Sequence, residues 1–230
     1  MHWSIFIASA LFTGNNGPCY VSSISPFSSD LKPDNILLDS AGHAHITDFN
    51  VAIHYSERRL HTSVAGSMAY MAPQVVGKKG YSWQIDWWSL GITAYELMFH
   101  KRPFDGRTAE KMTQSIMKDP LRVPSDASKR CSEAGMSALK GVRHFPTFPG
   151  YRTDYLQFID RDPTTRLGCR PNGQGIEDIR SHPWFSCIEW DAIEKKEAQP
   201  PFVPDVCFSQ VSLTWHGTHK SFLTGETSEL

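Results

Sequence analysis

The residues best equipped for chemistry lie in two short runs, Asp30-Leu31-Lys32-Pro33-Asp34-Asn35 and Asp48-Phe49-Asn50. Acid, amine and amide groups gathered this closely suit phosphoryl transfer, where catalysis is mainly positioning and charge. Either run alone has a plainer reading. Six polar residues can be a turn between strands, and D-F-N can be any loop. Their occurrence together carries the chemical reading. Four histidines also lie near one another, His43, His45, His54 and His61. Strand and loop spacing does not converge them, so a metal site built from them is not expected.

Two short strands must hold these runs, Asn35 to Asp39 and His43 to Thr47, flanking a turn at Ser40-Ala41-Gly42. Ser82 reads as the N-cap of a helix reaching about Phe99. That helix is apolar nearly all round (Trp87, Trp88, Leu90, Ile92, Leu97, Met98), the pattern of an element buried at the centre of a domain. Further helices are expected at about 107–118, 130–139 and 174–180. Residues 1–29 have no sustained period. Residues 142–157, with two prolines and scattered aromatics, read as an irregular interruption, and patterning fades after Asp205.

The 230 residues are 40% hydrophobic and 20% charged, with a formal net charge of −1. That balance gives no electrostatic reason to expect nucleic acid as a partner. The five cysteines are scattered without a C-x-x-C pair, so neither a zinc site nor a disulfide framework is suggested. No apolar run reaches the ~20 residues of a membrane span. Trp3 to Phe12 imitates a signal peptide but has no Lys or Arg before it, and a reducing compartment, cytoplasm or nucleus, is expected.

With these residues in view, the chain resembles the C-terminal lobe of eukaryotic serine/threonine protein kinases. Asp30 to Asn35 is similar to the second half of the family's H-R-D-L-x-x-x-N loop, and Asp48-Phe49-Asn50 to its D-F-G. The resemblance implies that Asp30 orients the hydroxyl of a protein Ser or Thr and that Lys32 neutralises the transferring phosphoryl group. Asn35 and Asp48 would hold Mg²⁺ on ATP, and Phe49 would pack at the lobe interface. Asn50 in place of Gly is a mild departure, because Asn tolerates positive φ. Ala72-Pro73-Gln74 stands where the family has A-P-E, with Arg166 as the implied partner of Gln74, a pairing weakened by the missing charge. Asp86, Trp88 and Gly91 match D-x-W-x-x-G, with Asp86 implied to cap the catalytic loop's backbone. Thr62 and Ser63 occupy the place of an activating phosphate, and Ser67 that of the substrate-positioning loop. "TDFN" and "DWWSLG" point to the YANK-type branch of the AGC-like kinases. His182-Pro183-Trp184-Phe185 and Pro200-Pro201-Phe202 resemble the lobe's closing motif and the start of an AGC-type tail.

The expected fold is therefore mainly α with short β-hairpins, a kinase C-terminal lobe without the β-rich N-terminal lobe. Residues 30–141 and 158–204 carry the resemblance; 1–29 and 205–230 fall outside it, and 142–157 interrupts it. The three breaks read as intron sequence carried into the chain. No G-x-G-x-x-G loop and no V-A-I-K lysine occur, and Ser28-Ser29 replace the family's His-Arg. A lobe without that cover over the nucleotide is expected to be inactive alone. The alternative is a non-catalytic, pseudokinase-like interaction module.

Overall fold

A computed structural model describes residues 26–27, 30–50, 52–54, 60–122, 124–125, 158–169, 174–200, 203 and 211–212. The expected helix at 130–139, the irregular run 142–157, Pro201-Phe202 and most of 1–29 and 205–230 lie outside the described residues. The chain is helix-rich, with two small antiparallel sheets.

Strand β1 (Pro26–Phe27) pairs with β4 (Ile53–His54). Strands β2 (Ile36–Leu38) and β3 (Ala44–Ile46) form the expected hairpin, with Leu37 opposite His45. In β2 the side chains of Ile36 and Leu38 are buried and Leu37 is half-buried between them, the period of two that a one-sided sheet requires. The turn is built by Asp39, whose Oδ1 accepts the N–H groups of Ala41 at 3.0 Å and His43 at 2.9 Å. Gly42 adopts φ 92°, a conformation costly for any residue with a side chain. The free edge of β2 is covered by β5 (Val211–Ser212), giving the order β3-β2-β5.

The helices are α1 (Pro73–Val76), α2 (Gln84–Phe99), α3 (Ala109–Lys118), α4 (Gln174–Arg180) and α5 (Trp190–Glu194). Every residue of α2 from Ile85 to Tyr95 is buried, so this helix is the axis of the core. Trp88 stacks on Phe104 with centroids 5.8 Å apart, and Trp87 on Phe158 at 6.2 Å. Each large apolar side chain fully removed from water contributes about 1.5–3 kcal/mol, so this helix and its neighbours dominate the stability. Gly91 allows the closest approach: a Cβ there would lie 2.6 Å from Phe158 Cβ and 2.9 Å from Ile159 Cγ1.

Ser82 does not cap α2. The N-cap is Trp83, in helical conformation and without a side-chain cap, and Ser82 is buried, its carbonyl accepting the N–H of Ile85. Packing of this all-round apolar helix replaces capping as its source of stability. At the other end His100 takes the left-handed conformation and its N–H bonds Glu96 O at 2.7 Å. Helix α3 is the amphipathic counterpart. Thr108 accepts the Lys111 N–H at 3.3 Å as N-cap, while Met112 and Ile116, four residues apart, face the core. No helix of the described residues is long and apolar enough to cross a membrane.

Candidate active site

Pro33, at the first position of a 3-10 turn (Pro33–Asn35), supplies the φ that starts it and lacks the N–H that the turn would leave unbonded. The turn folds Asn35 back toward Asp30: Asn35 Nδ2 donates to Asp30 O at 2.9 Å and to Asp30 Oδ2 at 3.3 Å. Lys32 Nζ donates to the same Oδ2 at 2.8 Å and to Ser67 Oγ at 2.9 Å. The second carboxylate oxygen, Oδ1, accepts the backbone N–H of Ser67 at 2.7 Å. Thus the structure brings Asp30, Lys32, Asn35 and the distant Ser67 into one network, with Asp30 only 8% exposed.

Burial alone would raise the pKa of Asp30. The hydrogen bond and charge of Lys32 and the N–H of Ser67 outweigh it, so the carboxyl lies below its ordinary value and is ionised near neutrality. An anion fixed by three donors can take a hydrogen bond from an incoming hydroxyl, and the ammonium among those donors can offset negative charge developing on a neighbouring group.

Strand β3 ends against the same turn. Thr47 donates its N–H to Asn35 O at 2.8 Å and its Oγ1 to the same oxygen at 3.3 Å, which sets Asp48 next in line. Asp48 is exposed and has φ 59°. The left-handed residue of this loop is therefore Asp48, while Asn50 has no positive φ. Asp tolerates that region because its side chain bonds locally, here accepting the Asn50 N–H at 3.4 Å. Phe49 is 49% exposed.

The segment from Asp48 to Gln74 is fastened at its far end. Ala72 is extended, as a residue before proline must be, and Pro73 opens α1. Gln74 Oε1 accepts from Arg166 Nη2 at 3.0 Å, and Gln74 Nε2 donates to Arg161 O at 2.6 Å. Arg166 is 1% exposed and also donates to Asp160 O at 2.8 Å and Gln84 O at 2.7 Å, with its guanidinium 5.4 Å from the Trp88 ring centre. Its hydrogen-bond partners among the described residues are neutral oxygens, and burial lowers its pKa from the ordinary value. Asp86 is buried in the first turn of α2. Thr62 and Ser63 are exposed, and Tyr81 holds the chain there, donating to Ser63 O at 2.8 Å with Ser63 Oγ 3.1 Å from its hydroxyl.

Some contacts had little signal in the sequence. Arg161 ties Gln74 to α3 by donating to Ile116 O at 2.7 Å and Asp119 O at 2.5 Å. Tyr70 donates to Glu96 Oε2 at 2.5 Å; burial, then this bond, pushes its phenol pKa well up. His43 and His45 both meet Asp39 Oδ2, at 3.4 Å and 3.0 Å. They brace the hairpin, and no metal-binding cluster occurs among the described residues.

A buried acid–lysine–asparagine turn, a second acid two residues beyond the paired strand, and a segment anchored by a buried arginine define a protein kinase domain. The family model of that name matches residues 21–185, and the chain belongs to this family. The match begins ahead of Asp30 and runs through 142–157. Its relatives are serine/threonine kinases. The serine/threonine-protein kinase AtPK2/AtPK19 of Arabidopsis thaliana is 36% identical over 190 residues, 81% of this chain and 36% of that protein. Protein kinase C zeta type of Oryctolagus cuniculus is 36% identical over 185 residues, 77% of this chain and 28% of that protein. Ribosomal protein S6 kinase alpha-6 of Danio rerio is 34% identical over 176 residues, 76% of this chain and 21% of that protein. The chain thus spans about a third or less of the length of these relatives.

Proposed function

We propose that these residues are the C-terminal lobe of an AGC-like serine/threonine protein kinase, closest to the YANK type, with the chemistry of ATP γ-phosphoryl transfer to protein Ser or Thr. The observation that carries this reading is the fixed Asp30 carboxylate with Lys32, Asn35 and the Ser67 N–H around it. In this reading Asp30 holds the acceptor hydroxyl in line, and Lys32, bridging Asp30 and Ser67, offsets charge at the phosphoryl group. The donor set fits a nucleotide-bound magnesium ion. Asn35 spends its amide N–H groups on Asp30, which leaves its carbonyl oxygen as the donor, and Asp48 offers an exposed carboxylate; Mg²⁺ takes hard oxygen ligands. ATP, when bound, supplies the phosphoryl group. Asp86 is assigned to hold the catalytic loop from below, and Ser63 or Thr62 to carry an activating phosphate. Cytoplasm or nucleus is the compartment that fits.

Within these 230 residues no glycine-rich loop and no V-A-I-K lysine occur. The elements that would cover a nucleotide's phosphates are absent from this stretch, so it does not hold ATP by itself. Thermal unfolding with and without millimolar Mg·ATP tests this, because a ligand that binds the native state raises the melting temperature. No shift is expected. An ATP-dependent rise abolished by Asp48→Ala would overturn the claim of inactivity.

A further inference from the structure

We infer that Arg161 is a positioning residue that fastens the foot of the Asp48–Gln74 segment to the last turn of α3, through a joint that only an amide at position 74 completes. The role given to that segment rests on the kinase reading above; the joint itself does not.

The Arg161 guanidinium caps a helix remote from it in sequence. Carbonyls in the last turn of a helix have no partner within it. Arg161 Nε donates to Ile116 O at 2.7 Å, and its Nη2 donates to Ser115 O at 3.4 Å and to Asp119 O at 2.5 Å. Asp119 is the extended C-cap of α3, so the fork spans the point where the helix stops. A cation there also meets the negative end of the helix dipole. A lysine ammonium lacks the planar fork that spans these carbonyls.

The backbone of the same residue holds the segment. Gln74 Nε2 donates to Arg161 O at 2.6 Å, while Gln74 Oε1 accepts from Arg166 Nη2 at 3.0 Å. The two ends of one amide thus join two arginines. A glutamate at 74 would keep the second bond but would set a carboxylate oxygen against the Arg161 carbonyl, an acceptor facing an acceptor. Where the family has A-P-E, this chain therefore makes a connection that glutamate cannot.

The path closes on itself through the core. The Arg161 guanidinium lies 5.2 Å from the Phe104 ring centre, and the Arg166 guanidinium 5.4 Å from that of Trp88. Phe104 and Trp88, 2% and 0% exposed, stack with planes 6° apart. A shift at the end of α3 moves the Arg161 carbonyl and so reaches α1, of which Gln74 is the second residue. Side chains packed this closely pass on displacement because they have little room to absorb it.

Amide hydrogen exchange of the 230-residue chain tests the joint, since exchange reports local opening. The Asp119 N–H, bonded to Ser115 O, reports on α3; the N–H groups of Val76 and Gly77, bonded to Ala72 O and Pro73 O, report on α1. The amides of α2 report global unfolding. Arg161→Met should speed exchange at both local reporters at least about fivefold beyond any change in α2, the effect of about one lost hydrogen bond. Arg161→Lys should rescue neither. In a Gln74→Glu background, Arg161→Met should speed the α3 reporter only. Gln74→Glu alone should speed the α3 reporter at least about twofold, since coupling acts in both directions. That variant keeps the fold, so the joint is read even where Arg161→Met does not fold. Equal loosening of α1 in both backgrounds would make Arg161 a merely structural residue and overturn the inference. So would loosening of α3 alone in the parent, or an α3 reporter unchanged by Gln74→Glu. None of these readouts involves phosphoryl transfer, so a failed joint leaves the kinase reading standing, and absent transfer leaves the joint.

Discussion

Gln74→Glu should stabilise the chain, and the contacts of Arg166 set how much. The guanidinium is buried with three neutral oxygens and one indole face around it; Asp160 and Asp162 act on it by charge, but among the described residues no carboxylate forms an ion pair with it. A hydrogen bond between neutral groups contributes about 0.5–1.5 kcal/mol and one to a charged partner about 1.5–3. Since the arginine end is already charged, adding the second charge at 3.0 Å yields about 1–2 kcal/mol. Against this stands the other end of the amide: the bond from Gln74 Nε2 to Arg161 O is lost, which costs about 1 kcal/mol. The carboxylate also loses part of its hydration. The net expectation is a stabilisation of about 1 kcal/mol or less, a rise of about 2–4 °C in melting temperature for a domain of this size. Urea unfolding of Gln74→Glu, Arg166→Met and the double variant should show a coupling energy above 1 kcal/mol in the glutamate background. Zero coupling, or a destabilisation larger than 1 kcal/mol, would refute the assignment of Arg166 as the partner that wants a charge.

Acid should weaken the fold through His182, which is 5% exposed and whose pKa burial lowers to about 4. The unfolded chain takes up this proton near 6.5 and the native one only near 4, so stability falls across that window by about 3 kcal/mol. His182→Asn keeps an acceptor for the Trp184 N–H, now met by His182 Nδ1 at 3.1 Å, and should flatten the loss in a pH series of urea titrations. Gly91→Ala should cost about 1–3 kcal/mol in the same assay, because the new methyl meets Phe158 and Ile159 in a filled core. The exposed apolar groups Phe49, Leu60 and Val64 should drive self-association at micromolar concentration, and Phe49→Ser should shift size-exclusion profiles toward monomer. A monomeric parent would contradict that expectation.

How much of this was legible in the sequence varies with the range of the interaction. The hairpin from Ile36 to Ile46 and the helices at 84–99, 109–118 and 174–180 follow from local alternation, apolar periodicity and turn residues. The pairing of β1 with β4 and of β5 with β2 depends on the two-residue strands β1, β4 and β5, far from their partners in the chain and too short to leave a pattern. Ser82 misled because a capping residue type is only a local preference, and burial of α2 overrode it. At the site, Asp30, Lys32 and Asn35 form a sequence-local turn and could be read directly. Arg161 could not, since its role depends on α1, α3 and the 158–169 segment meeting in space. Asn50 drew attention by type, but Asp48 is the residue in the unusual conformation.

In the proposed reading the Asp30 constellation performs phosphoryl transfer once a nucleotide is held above it. The most direct measurement joins residues 30–204 behind the N-terminal lobe of AtPK2/AtPK19 and follows transfer of labelled γ-phosphate to serine peptides with Mg·ATP. The chimera should transfer phosphate, Asp30→Asn should lower the rate at least about a hundredfold, and the 230-residue chain alone should transfer none. Transfer that survives Asp30→Asn, or a folded, ATP-binding chimera that transfers nothing, would contradict it.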